Sequence, residues 1–290
     1  MTGARNQTEG LKRVRYRYPS LDDFVTANEL TVDGVLDDGW GAPLSVKGRE
    51  LEAAVLFADI SSFTERTADL SPVETLAYVN TFFTWITAEA LREGPGIIDK
   101  YIGDEVMVVF ASEFGSDDPF EDAVKAGLRM CENDVLDYGP HIGIASGPVV
   151  VGYAGTPVRH TCSVFGAPVA LAARCAGVAP NISEDQFVSH TLTFPTTNWA
   201  ERDTTTVVEP KRYRDPSGEI HEDPSSSQRW TLTQPFDTDL KGLGDVSVQQ
   251  LHDQLMRMNN FTAEDRARDA VNDLRRANRY WPEGRHPQAP

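Results

Sequence analysis

An α+β fold is what this 290-residue sequence predicts, and three observations predict it. Short apolar runs suited to buried strands alternate with segments whose apolar residues step by three and four. These segments follow in the order strand, helix, strand, strand, helix, strand. That order is the ferredoxin-like βαββαβ arrangement, for which the expectation is one sheet with its helices on one face.

The elements are justified in chain order. The first twenty residues are polar and without apolar period, and are expected to form a mobile arm. Asp37-Asp38-Gly39-Trp40-Gly41 has turn composition. Leu51 to Ala58 is the first core strand. Ser71-Pro72-Val73-Glu74 announces a helix, with Ser as N-cap, Pro in the first turn and Glu three residues on. Its expected inward face is Leu76, Val79, Phe83, Ile86 and Ala90, and Gly94-Pro95-Gly96 ends it. Strands follow at Ile97–Tyr101 and Glu105–Phe110, then a helix at Phe120–Cys131 facing inward through Ala123, Val124, Gly127, Leu128 and Cys131. His141–Ser146 and Val149–Tyr153 are expected to form a hairpin around Gly147-Pro148. A helix runs from Ala167 to Val178, and Asn198–Gln234, rich in Asp, Thr, Pro and Ser, predicts long loops or a short hairpin. A final amphipathic helix spans Thr262–Asn278, with Ala263, Ala267, Ala270, Val271 and Leu274 available for packing. The organisation expected is an N-terminal arm or extension (1–48), a main domain (49–255) and a C-terminal helical extension (256–290).

Composition excludes several function classes. The 27 Lys and Arg against 44 Asp and Glu leave a formal net charge of −17, which argues against binding a nucleic-acid backbone or an anionic membrane surface. No apolar run approaches the ~18 residues of a membrane span. The basic Lys12-Arg13-Val14-Arg15-Tyr16-Arg17 lacks the apolar stretch of a secretory signal. Cys131, Cys162 and Cys175 form no CxxC and no disulfide framework, so a reducing, cytoplasmic location is expected. The six histidines lack metal-ligand spacing.

Two carboxylates carry the first chemical signal. Asp59 closes a buried strand and is followed by Ile60-Ser61-Ser62-Phe63-Thr64, where backbone N–H groups at a helix start would meet phosphate oxygens. A helix-capping role suits Asp59 equally well. Asp104 sits at the tip of Ile102-Gly103-Asp104-Glu105, where an Asp also stabilises a turn. The split fold lays the first strand beside this hairpin, so the two carboxylates would converge as a pair of divalent ions on a triphosphate requires.

These segments resemble the class III nucleotidyl cyclases. Phe57-Ala58-Asp59-Ile60-Ser61-Ser62-Phe63-Thr64 is similar to their first metal motif, and Lys100-Tyr101-Ile102-Gly103-Asp104-Glu105-Val106-Met107 to their second. His141-Ile142-Gly143-Ile144-Ala145-Ser146-Gly147 with Val150-Val151-Gly152 resembles their central hairpin. Ser163-Val164-Phe165-Gly166 through Ala172-Ala173-Arg174 resembles their base-reading and transition-state segment. The resemblance covers about residues 50 to 180, with a weaker echo at Leu240-Lys241-Gly242. It implies that the main domain is a nucleotidyl cyclase domain forming a 3′,5′-cyclic nucleotide and pyrophosphate. Asp59, Asp104 and the Ile60 carbonyl would hold two divalent ions, Mg²⁺ or Mn²⁺. Lys100 and Ser163 would read the base, Arg174 would stabilise charge at the α-phosphate, and Lys241 would contact the terminal phosphates. A homodimer with shared sites is implied, one subunit supplying Asp59 and Asp104 and the other Lys100, Ser163 and Arg174. Read without the resemblance, Lys100 is a solvated edge-strand lysine and Arg174 a helix-surface ion-pair residue.

Two positions depart from the family pattern. Ala170 stands where the family has a ribose-orienting Asn, and Ser163 replaces the longer Asp of well-known adenylyl cyclases. Three readings follow: an adenylyl cyclase, a pyrimidine cyclase, or a degenerate nucleotide-binding dimer. No receptor, membrane or signalling module is read alongside the domain. In that the sequence resembles the Pycsar antiphage cyclases, which implies cyclic UMP or cyclic CMP made for a separate effector, with UTP favoured. A diguanylate cyclase is the competing enzyme; Ile102-Gly103-Asp104-Glu105-Val106 matches only half of its signature.

Overall fold

The computed structural model describes residues 17–37, 43–134, 136–156, 159–182, 190–199, 212–214, 220–222, 230–253 and 263–276. The expected mobile arm falls largely on residues 1–16, outside them. In chain order the elements are α1 (Leu21–Ala27), β1 (Val32–Asp37), β2 (Pro43–Asp59), α2 (Phe63–Thr67), α3 (Pro72–Leu91), β3 (Gly96–Ile102), β4 (Glu105–Ala111) and α4 (Pro119–Glu132). Then come β5 (His141–Thr156), β6 (Arg159–Phe165), α5 (Ala167–Ala176), β7 (Thr191–Pro195), α6 (Thr196–Trp199), β8 (Arg212–Arg214), β9 (Ile220–Glu222), β10 (Trp230–Leu232), β11 (Phe236–Leu240), β12 (Gly244–Asp253) and α7 (Ala263–Arg276).

The predicted core order is present as β2-α3-β3-β4-α4-β5. Its strands lie side by side as β5-β2-β4-β3, all antiparallel, within a sheet extended through β7, β12 and β10. The β5–β7 pair is parallel. β8 and β9 form a separate two-stranded piece, as the short hairpin expected between residues 198 and 234.

The helices cover both faces, which corrects the one-face expectation. Alternate residues of β2 explain it: Ala54, Leu56 and Ala58 face a core shared with α3, α4 and α7, while Ala53, Val55 and Phe57 face a second core containing α1 and α5. A central strand that is apolar on both sides needs cover on both sides. Phe24 of α1 is fully buried there, against Tyr18 and Phe114. The chain thus begins to pack well before Leu51.

The capping box of α3 is formed as its sequence requires. Glu74 N donates to Ser71 Oγ at 3.4 Å, and Ser71 N to Glu74 Oε2 at 2.8 Å. Its buried face is rotated from the expected one. Ala77, Tyr78, Phe82, Ile86 and Ala90 are inside, and Leu76 is 59% exposed. The ring cluster Tyr78–Phe82–Tyr138 decides the rotation, since fully burying a Phe or Ile is worth roughly 1.5–3 kcal/mol. The inward residues of α4 are those predicted. On α7, Ala267, Ala270 and Val271 are buried, and Arg268–Asp69 and Arg266–Asp137 ion pairs of 3.0 Å tie the helix to the neighbourhood of α2.

The hairpin expected at Gly147-Pro148 is not formed. β5 runs through both residues, because the long β2 offers a continuous edge that pairs from Gly48↔Gly152 to Asp59↔His141. Pro148 is accommodated inside the strand, and the reversal occurs after Thr156, where β6 returns along β5. Earlier in β5, Gly143 lies under α5, and a Cβ there would overlap the Ala172 carbonyl oxygen and the Ala176 nitrogen. We therefore expect Gly143→Ala to destabilise the fold by more than about 3 kcal/mol, read as a lowered denaturation midpoint, because helix backbone cannot move aside as a side chain would.

Candidate active site

The strand register brings the carboxylates together. Asp59, the last residue of β2, has Glu105 opposite it on β4 and His141 opposite it on β5. The turn from β3 to β4 passes through Gly103 at φ 64° and places Asp104 beside this row. Burial, then the Asp104 and Glu105 charges, push the Asp59 carboxyl up to about 7. Burial also raises Asp104, and burial with Asp104 raises Glu105. Burial and the charge of Arg66 hold His141 below its usual range. Its Nδ1 is 3.8 Å from Asp59 Oδ1, and that oxygen is buried without a hydrogen-bond partner.

This donor set fits a divalent cation. Hard oxygen ligands suit Mg²⁺ or Mn²⁺, and a buried, unpartnered carboxylate oxygen among like charges is stabilised by one. Among the described residues no group of three or more His, Cys, Asp or Glu forms a metal cluster.

The loop after Asp59 is held by a residue the sequence reading missed. Arg66, buried on α2, donates from Nε to Ser61 O (2.6 Å), from Nη1 to Asp137 O (2.9 Å) and from Nη2 to Ser61 Oγ (3.1 Å). Ser61 Oγ donates to Tyr138 O at 3.1 Å. The Tyr138 loop is held in turn by Asp134, whose carboxylate accepts Tyr138 N and Gly139 N at 2.9 and 2.8 Å. His190 lies buried between Asp134 and Asp253, at 3.3 and 3.6 Å, and ties the loop to β7 and β12. Ser62 adopts a left-handed φ of 52° and is exposed, as is Thr64, while Phe63 is half-buried. Helix α2, which starts at Phe63, is only five residues long. The phosphate-facing helix start expected here therefore carries little aligned dipole.

A second group forms around Lys100. Lys100 Nζ donates to Ser163 Oγ, and Ser163 Oγ donates to Asp99 Oδ2 at 2.8 Å. Lys100 Nζ is also 3.2 Å from Asp99 Oδ2. Asp99 was not singled out from the sequence, where nothing distinguished it from any polar strand residue. Among the described residues no hydrogen bond or ion pair joins this group to Asp59 or Asp104.

A third group lines an open cleft of ≈ 470 Å³ between α5 and the β11–β12 turn, where Arg174 and Lys241 stand with Asn181 and Asp239. Arg174 is exposed, and its charge acts on Glu105 against the burial that raises it. Ala170, on the same helix, is exposed and offers no polar side chain.

A βαββαβ sheet with two acidic strand ends, a Lys–Ser pair and a cationic cleft defines the class III nucleotidyl cyclase type of catalytic domain. The chain belongs to the adenylate and guanylate cyclase catalytic domain family, whose model matches residues 46–212, more than half of its length. Uncharacterized proteins Rv1319c and Rv1320c of Mycobacterium tuberculosis (strain ATCC 25618 / H37Rv) are 32% and 33% identical over 136 residues, which is 46% of this chain. The chain spans about a quarter of the length of these curated relatives. Its fold is similar to a bacterial light-regulated adenylyl cyclase, with a TM-score of 0.53 at 18% identity over 77% of this chain and 58% of that one. It is also similar to the adenylyl cyclase CyaB from P. aeruginosa, with a TM-score of 0.51 at 19% identity over 74% and 99%. The guanylate cyclase domain of RhGC from Catenaria anguillulae, in complex with GTP, aligns with a TM-score of 0.51 at 18% identity over 71% and 100%. None of the described helices is long and apolar enough to cross a membrane.

Proposed function

We propose that this chain is a nucleotidyl cyclase that converts a nucleoside triphosphate into a 3′,5′-cyclic nucleotide and pyrophosphate. The observation that carries the reading is the buried, unpartnered Asp59 oxygen beside Asp104 at neighbouring strand ends. Asp59, Asp104 and the Ile60 carbonyl would hold two divalent ions, which when bound supply Lewis acidity and neutralise triphosphate charge. The ribose 3′-oxygen attacks the α-phosphorus as its proton leaves, and the bond from that phosphorus to the pyrophosphate oxygen breaks. Arg174 stabilises charge growing on the α-phosphate, as a preorganised cation does. Lys241, in the same cleft, meets the terminal phosphates, and the loop Ser62-Phe63-Thr64 borders them.

The working unit we propose is a homodimer with shared sites, one subunit giving the carboxylates and the other Lys100, Ser163 and Arg174. Among the described residues no hydrogen bond or ion pair joins Lys100 or Ser163 to Asp59 or Asp104, which supports this reading for those two residues. UTP is the proposed substrate and cyclic UMP the product, released to a separate effector in antiphage signalling. Its support is the sequence resemblance together with Ser163 and Ala170, where purine-type features are missing. The test incubates purified protein with each of the four NTPs and Mn²⁺ and identifies products by mass. Cyclic UMP is expected. Cyclic AMP alone would overturn the pyrimidine assignment, and no cyclic product from any NTP would overturn the cyclase reading.

A further inference from the structure

We propose that Asp99 is a positioning residue for base selection: it accepts the hydroxyl proton of the buried Ser163 in a hydrogen bond and, with Ser163, anchors Lys100, whose exposed ammonium meets a bound base as a donor. The inference rests on the cyclase reading above and goes beyond it, since Asp99 itself touches no substrate.

The backbone explains how Asp99 comes to be there. The β3–β4 register shifts between Ile98 and Lys100, so Asp99 is the residue left out of the ladder. A bulge of this kind re-aims a side chain while the strand continues. The Asp99 side chain is 1% exposed and its Oδ1 has no hydrogen-bond partner. A buried carboxylate is costly unless a cation lies beside it, and Lys100 at 3.2 Å is that cation.

Counting protons then defines the reading unit. A serine hydroxyl has one proton and two lone pairs, and a lysine ammonium has three protons. The Ser163 proton is committed to Asp99 Oδ2, and one Ser163 lone pair accepts from Lys100. Ser163 is 1% exposed, so its hydroxyl is spent within the group. Lys100 gives one proton to Ser163 and stands 3.2 Å from Asp99 Oδ2, on a side chain that is 39% exposed. The unit therefore presents the Lys100 ammonium, held in place, as a donor. A base edge must present an acceptor to Lys100. Without the Asp99 carboxylate the Ser163 hydroxyl would rotate, and the ammonium would lose its fixed aim.

The experiment measures kcat and KM for all four NTPs with wild-type protein, Asp99→Asn, Ser163→Ala and the double variant, with thermal denaturation as a folding control. We expect Asp99→Asn to reduce the ratio of kcat/KM between the best and worst NTP by about tenfold or more, the loss of one oriented hydrogen bond. The change should lie mainly in KM, with kcat for the best NTP within about threefold of wild type, because this contact orients the base rather than the reacting atoms. In the Ser163→Ala background, Asp99→Asn should change the ratio by less than about twofold, since the two act as one unit. An equal fall in kcat for every NTP with an unchanged ratio would overturn the proposal, as would full additivity with Ser163→Ala. If Asp99→Asn fails to fold, Asp99→Ser is read in the same way. Failure of both to fold would make Asp99 a structural residue and overturn the proposal. Should wild-type protein bind NTPs without cyclising them, the cyclase reading fails alone, and the same ratios are taken from dissociation constants by calorimetry.

Discussion

Replacing Asp59 or Asp104 by alanine is expected to lower cyclic-nucleotide formation by at least about a thousandfold, the scale of losing metal-supplied charge stabilisation in the transition state. Asp59→Asn separates chemistry from folding. It keeps the shape of the side chain but removes a charge that the metal-free site handles poorly, since burial, Asp104 and Glu105 all oppose ionisation of Asp59. The metal-free Asp59→Asn protein should therefore melt higher than wild type, while the stabilisation that Mn²⁺ gives the wild type should be lost. Thermal melts with and without Mn²⁺, alongside product assays, check both halves. Wild-type turnover together with an intact Mn²⁺ shift in Asp59→Asn would remove the carboxylates from the proposed metal site.

Arg174→Ala is expected to be as inactive as Asp59→Ala on its own, yet the two mixed together should recover activity. In a homodimer with shared sites, each inactive variant still carries the half of the site that the other lacks. Random exchange of equal amounts makes half the dimers mixed, each with one intact site of two, so about a quarter of wild-type activity should return. The rescue should follow the time course of subunit exchange. Heterodimers shown by mass to form without activity would sink the shared-site arrangement. Arg174 would then serve the carboxylates of its own chain, where its charge already acts on Glu105.

Much of the fold was legible because local signals were strong. The capping box at Ser71 and the apolar run through Leu56 and Phe57 each report on nearby residues only. The strand order alone brings Asp59 and Asp104 into the same neighbourhood. Gly147-Pro148 misled because its turn composition is a local preference, and the long β2 edge overrides it by pairing through both residues. Leu76 misled for a related reason: helical period marks two adjacent stripes on α3, and the Tyr138 ring chooses between them.

The site divided along the same line. By itself the sequence marked candidate residues: Asp59 and Asp104 by residue type and place in the strand order, and Lys100, Ser163, Arg174 and Lys241 only through the family resemblance. Only the tertiary structure decided what holds them. Arg66 reaches Asp137 across 71 residues of chain, and Asp99 reaches Ser163 across 64. Contacts at that separation are made by packing and strand register, and leave no periodicity or motif for the chain to display.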